Sequence, residues 1–237
     1  LDRPDPRAVR DGYRTLEEIG AVDRGRQVTR LGRQIARLPV DPRIGRMIYA
    51  AAHGGCLREV LVLAAALSVQ DPRERPIDRQ QLADQAHAAH RDEHSDFLGL
   101  LKLWGFLEEQ KRHLSRRKFR ELCQTQFLAP NRVIEWHDIH LQLRAELHEM
   151  GFRENEAEAG YAEIHRALLS GLLSQIGCRE QGRDREFLGT RGTRFHVFPG
   201  SALFRGPPKW VMAAELVETT RLYARTVARI EPEWVEA

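Results

Sequence analysis

The C-terminal segment that decides the fold reads KWVMAAELVETTRLYARTVARIEPEW over residues 209–234. Two runs, Trp210 to Val217 and Leu222 to Ile230, are rich in apolar, β-branched and aromatic residues, and a short polar stretch separates them. Runs of this kind bounded by turn residues are typical of β-strands. The segment therefore predicts two consecutive strands.

The second run also predicts which side chains face inward. Residues two apart in a strand share a face. One face carries Leu222, Ala224, Thr226, Ala228 and Ile230, and the other carries Tyr223, Arg225, Val227 and Arg229. We expect the first face to point into a barrel and the second, basic face to point outward.

Three more short extended runs lie upstream, with glycine-rich or proline-rich turns between them. They are Leu173 to Cys178, Glu186 to Thr190 and Arg194 to Phe198. Five short strands in so short a segment suit a small, partly open barrel such as an OB-fold. We place this barrel at residues 161–237.

The barrel segment interleaves cationic and aromatic side chains. The cationic set is Arg183, Arg185, Arg191, Arg194, His196, Arg205, Lys209, Arg221, Arg225 and Arg229, and the aromatic set is Phe187, Phe195, Phe198, Phe204, Trp210 and Tyr223. Cations that follow phosphates and aromatic rings that stack on bases are the means by which proteins bind single-stranded nucleic acid. Alternation places Phe195 and Val197 on a core face, so part of the aromatic set is structural.

Before the barrel, residues 44–160 show helical periodicity and predict a bundle. Asp78, Ser95 and Ser115 are predicted N-caps, and the longest helix carries an apolar stripe that Gly151 ends. Residues 1–43 predict a winged-helix-like unit, with a hairpin around 23–25 and a helix from Arg30 to Leu38 capped by Thr29. The fold class is mainly α with a small C-terminal β-barrel, an α+β multidomain chain.

Composition indicates a chain that folds. Of 237 residues, 42% are hydrophobic and 30% charged, which is typical of globular domains. The net charge is +3, and only four of the 37 Lys and Arg residues are lysine. Arginine suits phosphate and base recognition, but a GC-rich genome produces the same bias. The three cysteines are too scattered for a disulfide framework, so a reducing cytoplasm is the simplest setting, and no membrane span is expected.

Several groups of residues could form an ATP, metal or anion site, but each also allows a purely structural interpretation. A nucleotide-hydrolysing loop ending in Gly-Lys-Ser/Thr does not occur in the sequence, so no ATP site is expected here. The residues His87, His90 and His94 could approach one metal from one helix, but an exposed polar stripe is favoured. The run 92–94, Asp-Glu-His, is interpreted as a solvated helix face. His137 and His140 also receive the non-functional interpretation, and His140, which lies on the apolar stripe, is expected to be a core histidine. The cations of 116–118 follow the cap Ser115, where an anion could bind, but a solvated charge cluster is favoured.

The sequence resembles the C-terminal region of bacterial DEAH-box RNA helicases of the HrpA type over essentially the whole chain. The matching runs are LGRQIARLP at 31–39, DPR at 41–43, SVQDPRERP at 68–76, IHRALLSGL at 164–172, FHVFPGS at 195–201 and the segment 209–234. The resemblance implies a winged-helix unit at 1–43, a helical ratchet bundle at 44–160 and an OB-fold at 161–237, all following two RecA-like motor domains. It also places the ATP and Mg site of the parent protein, and the acidic motif that names the family, before Leu1.

We therefore expect an accessory region that grips single-stranded RNA for the RecA-like motor domains of the same polypeptide. The parent would be an ATP-dependent helicase and NTP hydrolase, whereas this chain alone would have no catalytic residue, metal or cofactor. The predicted RNA-binding residues are Arg73, Arg75, Arg116, Arg117, Lys118, Arg194, His196, Lys209, Thr219, Thr220, Arg221, Tyr223, Arg225 and Arg229. Two alternatives stay open, namely a winged-helix DNA-binding regulator and a platform for protein partners.

Overall fold

The computed structural model describes residues 5–180 and 185–235. Nine α-helices are described, which are α1 Pro6–Glu18, α2 Arg30–Ile35, α3 Pro42–Gly54, α4 Leu57–Leu67, α5 Gln80–Ala88, α6 Asp96–His113, α7 Arg116–Thr125, α8 Pro130–Glu149 and α9 Tyr161–Leu169. Five strands follow in the described residues, which are β1 Ile176–Arg179, β2 Glu186–Gly189, β3 Arg194–Val197, β4 Trp210–Glu218 and β5 Leu222–Arg229. The predicted order of helices and then a small barrel is confirmed.

The chain forms two compact units. One unit draws on Leu1–Leu61 and Leu143–Leu173, and the other on Val62–Gln142 and Ser174–Ala237. In the first unit Ile19, Ala21 and Ile35 form a small core. No described helix is long and apolar enough to cross a membrane.

The start of α2 follows from its capping residue. The Thr29 hydroxyl accepts a hydrogen bond from the Gly32 amide at 2.9 Å and donates one to the Gly20 carbonyl at 2.7 Å, which confirms the predicted N-cap. The helix ends at Ile35 rather than at Leu38. Leu38 precedes Pro39, and the residue before a proline is disfavoured in helical conformation, so the predicted end was too late.

The helices of the second unit begin as their caps predict, with one exception. The Ser95 hydroxyl accepts from the Leu98 amide at 3.2 Å, and the Ser115 hydroxyl accepts from the Lys118 amide at 3.4 Å. Asp78 caps no helix, because it lies within a 3₁₀ turn and α5 starts two residues later. The prediction for that position was wrong.

The barrel closes completely in the order β1-β2-β3-β5-β4. All neighbouring strands are antiparallel except β3 and β5, which run parallel. The rings of Phe187 and Phe195 stack inside at 5.7 Å. A Cβ at Gly177 would lie 2.4 Å from the Phe195 ring, so β1 can pass that ring only because the residue is glycine. Residues 173–175, predicted as strand, form a 3₁₀ turn.

Strand β5 departs from strict alternation at Thr226. This residue has a φ of +51°, a left-handed conformation that interrupts the alternation of faces. Ala224 and Val227 consequently both lie in the barrel core and are fully buried. The prediction that Val227 points outward and Thr226 inward along one unbroken face was wrong, because a two-residue period assumes extended backbone throughout.

Candidate nucleic-acid interface

Three strand ends meet at one mouth of the barrel. Glu186 at the start of β2 pairs with His196 near the end of β3, and His196 pairs with Tyr223 at the start of β5. The short turn between β4 and β5, where the Thr219 amide donates to the Arg221 carbonyl at 2.9 Å, lies beside them. Residues from three separate segments of the chain thus share one surface.

A pocket of about 190 Å³ opens at this mouth. The buried side chains of Phe187 and Val197 form its floor. The remaining lining residues are Arg185, His196, Pro199, Phe204, Pro207, Arg221 and Tyr223. None of the described lining residues is acidic, so the site is apolar below and cationic at its rim.

An aromatic cluster adjoins the pocket on the outer face of the barrel. The rings of Phe198 and Tyr223 meet edge to face at 6.0 Å, and Tyr223 lies 6.2 Å from the His196 ring. The Arg225 guanidinium lies over Phe198 at 4.7 Å. This contact is a cation–π interaction, and it leaves the buried Arg225 Nε without a hydrogen-bond partner among the described residues.

The pocket residue Phe204 lies in a short 3₁₀ turn, Ala202–Phe204, held by two side chains. The Ser201 hydroxyl accepts from the Leu203 amide at 3.2 Å. Asp96, the first residue of α6, accepts from the Ala202 amide at 3.0 Å and from the Val227 amide at 2.8 Å. One buried carboxylate therefore ties α6, the pocket wall and β5 together.

Sequence reasoning missed the role of Asp96. An acidic residue just after an N-cap serine is expected from the helix dipole alone. Its two backbone partners lie 106 and 131 residues away, and no local pattern indicates them.

Six of the predicted RNA-binding residues lie at or beside the barrel mouth, namely His196, Thr219, Thr220, Arg221, Tyr223 and Arg225. No ion pair of Arg221 or Arg225 occurs within the described part of the chain. Neither guanidinium is therefore held by a described carboxylate.

Three other predicted barrel residues are placed differently. Arg194 contacts two carboxylates, those of Glu180 at 3.1 Å and Glu186 at 3.0 Å. The hydrogen bond that Arg194 donates to Glu180 raises the pKa of Arg194, and the nearby charges of both carboxylates add to this. Arg229 pairs with Glu231 at 2.8 Å. Lys209 and Arg229 lie at the other end of the β4–β5 pair from Arg221. Arg183 lies outside the described residues.

The predicted helical cations are mostly engaged in ion pairs. Arg73 pairs with Asp71 at 2.7 Å, and Arg75 pairs with Asp84 at 2.8 Å. Burial of Arg73 disfavours its charge, but Asp71 outweighs this and raises the pKa of the guanidinium.

At the start of α7, Arg117 contacts Glu121 at 2.9 Å and stays 91% exposed, while Arg116 and Lys118 are exposed at the same turn. This turn is separate in the chain from the barrel mouth.

The histidine triplet does not share a helix. Helix α5 ends at Ala88, so only His87 lies on it, and the predicted helical placement of 92–94 was wrong. Asp92 instead accepts from the His94 amide at 3.0 Å and pairs with Lys102 at 2.9 Å in the turn before α6. Residues 5–180 and 185–235 contain no group of three or more metal-ligating side chains.

Histidine 137 lies buried in the helical part of the second unit. Its Nδ1 is 3.2 Å from a Glu108 oxygen, and its ring is 4.3 Å from that of Trp104. Burial lowers the pKa of His137 to about 4, and the charges of Lys111 and His140 add to this. The side chain is therefore neutral near pH 7.

Two cysteines are buried as free thiols. Burial raises the pKa of both Cys56 and Cys123 to about 11. A thiol with so high a pKa forms little thiolate, so neither side chain is suited to nucleophilic chemistry.

Comparison with known families divides the chain into three matches. Residues 13–40 match the helicase associated domain (HA2), winged-helix, and residues 41–127 match the helicase associated domain (HA2), ratchet-like. Residues 164–237 match the oligonucleotide/oligosaccharide-binding (OB)-fold. The barrel mouth described above lies within the last match.

Similar proteins are found in bacteria and plants. The chain is 51% identical over its whole length to the ATP-dependent RNA helicase HrpA of Escherichia coli, of which it covers 18%. It is 49% identical over its whole length to the HrpA homolog of Haemophilus influenzae, covering 19%. For the DExH-box ATP-dependent RNA helicase DExH1 of Arabidopsis thaliana the identity is 30% over 97% of the chain, covering 24% of that protein. The chain thus spans about a fifth of the length of these relatives.

Proposed function

The chain belongs to the HrpA-type DEAH-box RNA helicases, as their C-terminal helicase-associated region, and from this premise we propose that it holds single-stranded RNA for the motor domains of the same polypeptide. The motor domains would supply the ATP-driven movement, and the barrel mouth of this chain would contribute the grip. The relatives named above are RNA helicases by name, which favours RNA as the nucleic acid.

The observation that carries the proposal is the composition of the barrel mouth. Arg221 and Arg225 form no ion pair with a described carboxylate, and the aromatic rings of Phe204 and Tyr223 line the same pocket as Arg221. Arginine neutralises phosphates with release of counterions, and aromatic faces stack on bases. Both requirements of a single-strand grip are met within one surface.

No ATP or Mg site is expected in this chain. None of its four lysines follows a glycine, so the Gly-Lys-Ser/Thr loop that cradles phosphates does not occur in the sequence. The motor domains would hold ATP and Mg, and the purified chain is expected to show no ATPase activity with or without RNA. A reducing cytoplasm is the expected setting.

The alternative of a winged-helix DNA-binding regulator, which would place a helix in the major groove, receives less support. Helix α2 has only six residues, and the Arg33 guanidinium donates to the Val28 carbonyl at 3.1 Å instead of facing outward unengaged. The predicted contacts of Arg73, Arg75, Arg116, Arg117, Lys118, Arg194, Lys209 and Arg229 with RNA stay predictions.

The test is a salt titration of RNA binding by the chain and by Arg221→Ala/Arg225→Ala. Each phosphate contact adds about 0.7 to the slope of log affinity against log salt for a single strand. Loss of two contacts should lower the slope by about 1.4 and weaken binding at every salt concentration. Far-UV circular dichroism would show that the variant keeps its fold.

The matched control is Arg7→Ala/Arg10→Ala, which removes the same charge from the exposed surface of α1, where no RNA contact is predicted. It should leave affinity and slope nearly unchanged if the grip belongs to the barrel. Equal loss in both double variants would mean that net charge alone controls binding. Unchanged binding by Arg221→Ala/Arg225→Ala would refute the assignment of the grip to the barrel mouth.

A further inference from the structure

The pocket at the barrel mouth has the dimensions and chemistry of a site for one flat ring. Its volume of about 190 Å³ lies below the roughly 300–1,000 Å³ of pockets that take drug-sized ligands. From this and the contacts below, we propose that the pocket takes one nucleobase out of the stack of the bound strand. The inference rests on the proposed RNA binding and specifies how one nucleotide is held.

The floor and walls match the faces of a base. Phe187 and Val197 close the bottom with apolar surface, and Phe204 and Tyr223 provide aromatic walls. Every base has a π-face, so aromatic walls hold a base with little sequence preference. The polar edge of the base would meet His196, whose Nδ1 lies 2.9 Å from the Arg185 carbonyl and whose other ring nitrogen has no hydrogen-bond partner among the residues that the structure describes.

The rim matches the charge that flanks a base. Arg185 and Arg221 are both exposed at the opening. A nucleotide within a strand has a phosphate on each side, so an inserted base brings two anions to the rim. The Arg185 guanidinium also lies 5.4 Å from the centre of the Phe204 ring, which links the rim to the wall.

The walls are fixed before any ligand binds. Asp96 holds the Ala202 amide on one wall and the Val227 amide of β5, the strand that carries the other wall. A site whose walls are already ordered loses less conformational freedom on binding. The pocket is thus pre-organised for a rigid, planar group.

Phe204 and Phe198 allow a base in the pocket to be told apart from a base stacked on the outer face of the barrel. Phe204 lines the pocket, whereas Phe198 lies outside it and contacts Arg225 and Tyr223. A base in the pocket depends on Phe204, and a base stacked on the outer face depends on Phe198.

The experiment compares binding of an intact single-stranded RNA hexamer with a hexamer that is abasic at every position. The chain should prefer the intact strand by about tenfold or more. Phe204→Leu should remove most of this preference without weakening binding of the abasic strand, and Phe198→Leu should retain it. Loss of the preference in Phe198→Leu alone would overturn the pocket assignment, as would a wild-type chain that binds both strands equally.

A second measurement needs no variant and covers the case in which Phe204→Leu fails to fold. A hexamer with a single 2-aminopurine is bound to the wild-type chain, and quenching by acrylamide is measured. A base in the pocket should be shielded severalfold relative to the free strand, and unchanged quenching would overturn the inference. Failure of the chain to bind either hexamer would instead refute the proposed RNA grip itself.

Discussion

Replacement of Asp96 should loosen the attachment of the barrel to α6. The carboxylate accepts two backbone hydrogen bonds, at 3.0 and 2.8 Å, and the side chain is buried. A hydrogen bond to a charged group contributes about 1.5–3 kcal/mol, and a buried donor left without an acceptor is penalised further. Because neighbouring contacts are not additive, we expect Asp96→Ala to lower the free energy of unfolding by about 3–5 kcal/mol.

Asp96→Asn tests whether the helix dipole alone could account for the loss of stability. Asparagine keeps one acceptor oxygen and turns an amide donor toward the second backbone N–H, so about half of the loss is expected. An acidic residue in the first turn of a helix contributes only about 0.3–1 kcal/mol through the dipole. If Asp96→Asn lowers the free energy of unfolding by more than about 1 kcal/mol, the loss must come from the tertiary hydrogen bonds and not from the dipole alone.

The assay is urea and thermal unfolding followed by circular dichroism, together with hydrogen exchange of the Val227 amide. In a chain of this size each kcal/mol corresponds to about 2–4 °C in Tm. Asp78→Ala is the control, because that side chain is 77% exposed and its loss should stay within about 0.5 kcal/mol. A loss below about 1 kcal/mol for Asp96→Ala, with unchanged exchange at Val227, would refute the reasoning.

Three further predictions follow from buried or strained positions. Ala224→Arg should unfold the barrel, since it places an unpaired charge in a fully buried site; loss of strand signal in circular dichroism would show it, with Thr220→Arg in the exposed turn as control. Thr226→Gly should raise the free energy of unfolding by up to about 1 kcal/mol, because a left-handed conformation costs a non-glycine residue about 1–2 kcal/mol; no gain over Thr226→Val in urea titration would contradict this. His137 takes up a proton near pH 4 in the fold but near pH 6.5 when unfolded, so the unfolded chain binds more protons in that window and stability should fall as the pH drops through it. His137→Phe should reduce that part of the pH dependence of the urea midpoint, and an unchanged curve would exclude the histidine as its source.

The sequence by itself determined the elements and their order. The caps Thr29, Ser95 and Ser115 act as predicted because a capping side chain binds an amide two or three residues ahead. The five strands lie where alternation and turn residues indicate, with ends that differ by a few residues. These features depend on neighbours in the chain, so a single sequence contains them.

The tertiary structure alone decided which faces and charges are available. The left-handed backbone of Thr226 interrupts the alternation of faces in β5, and no local sequence pattern predicts it. Arg194 is occupied by two carboxylates while Arg221 lies at the rim of a pocket, although both looked alike as arginines among aromatics. The partners of Asp96 lie more than a hundred residues away. Periodicity reports the local backbone, whereas the partner of a side chain depends on how distant segments pack, and that is why the binding surface became visible only in the folded chain.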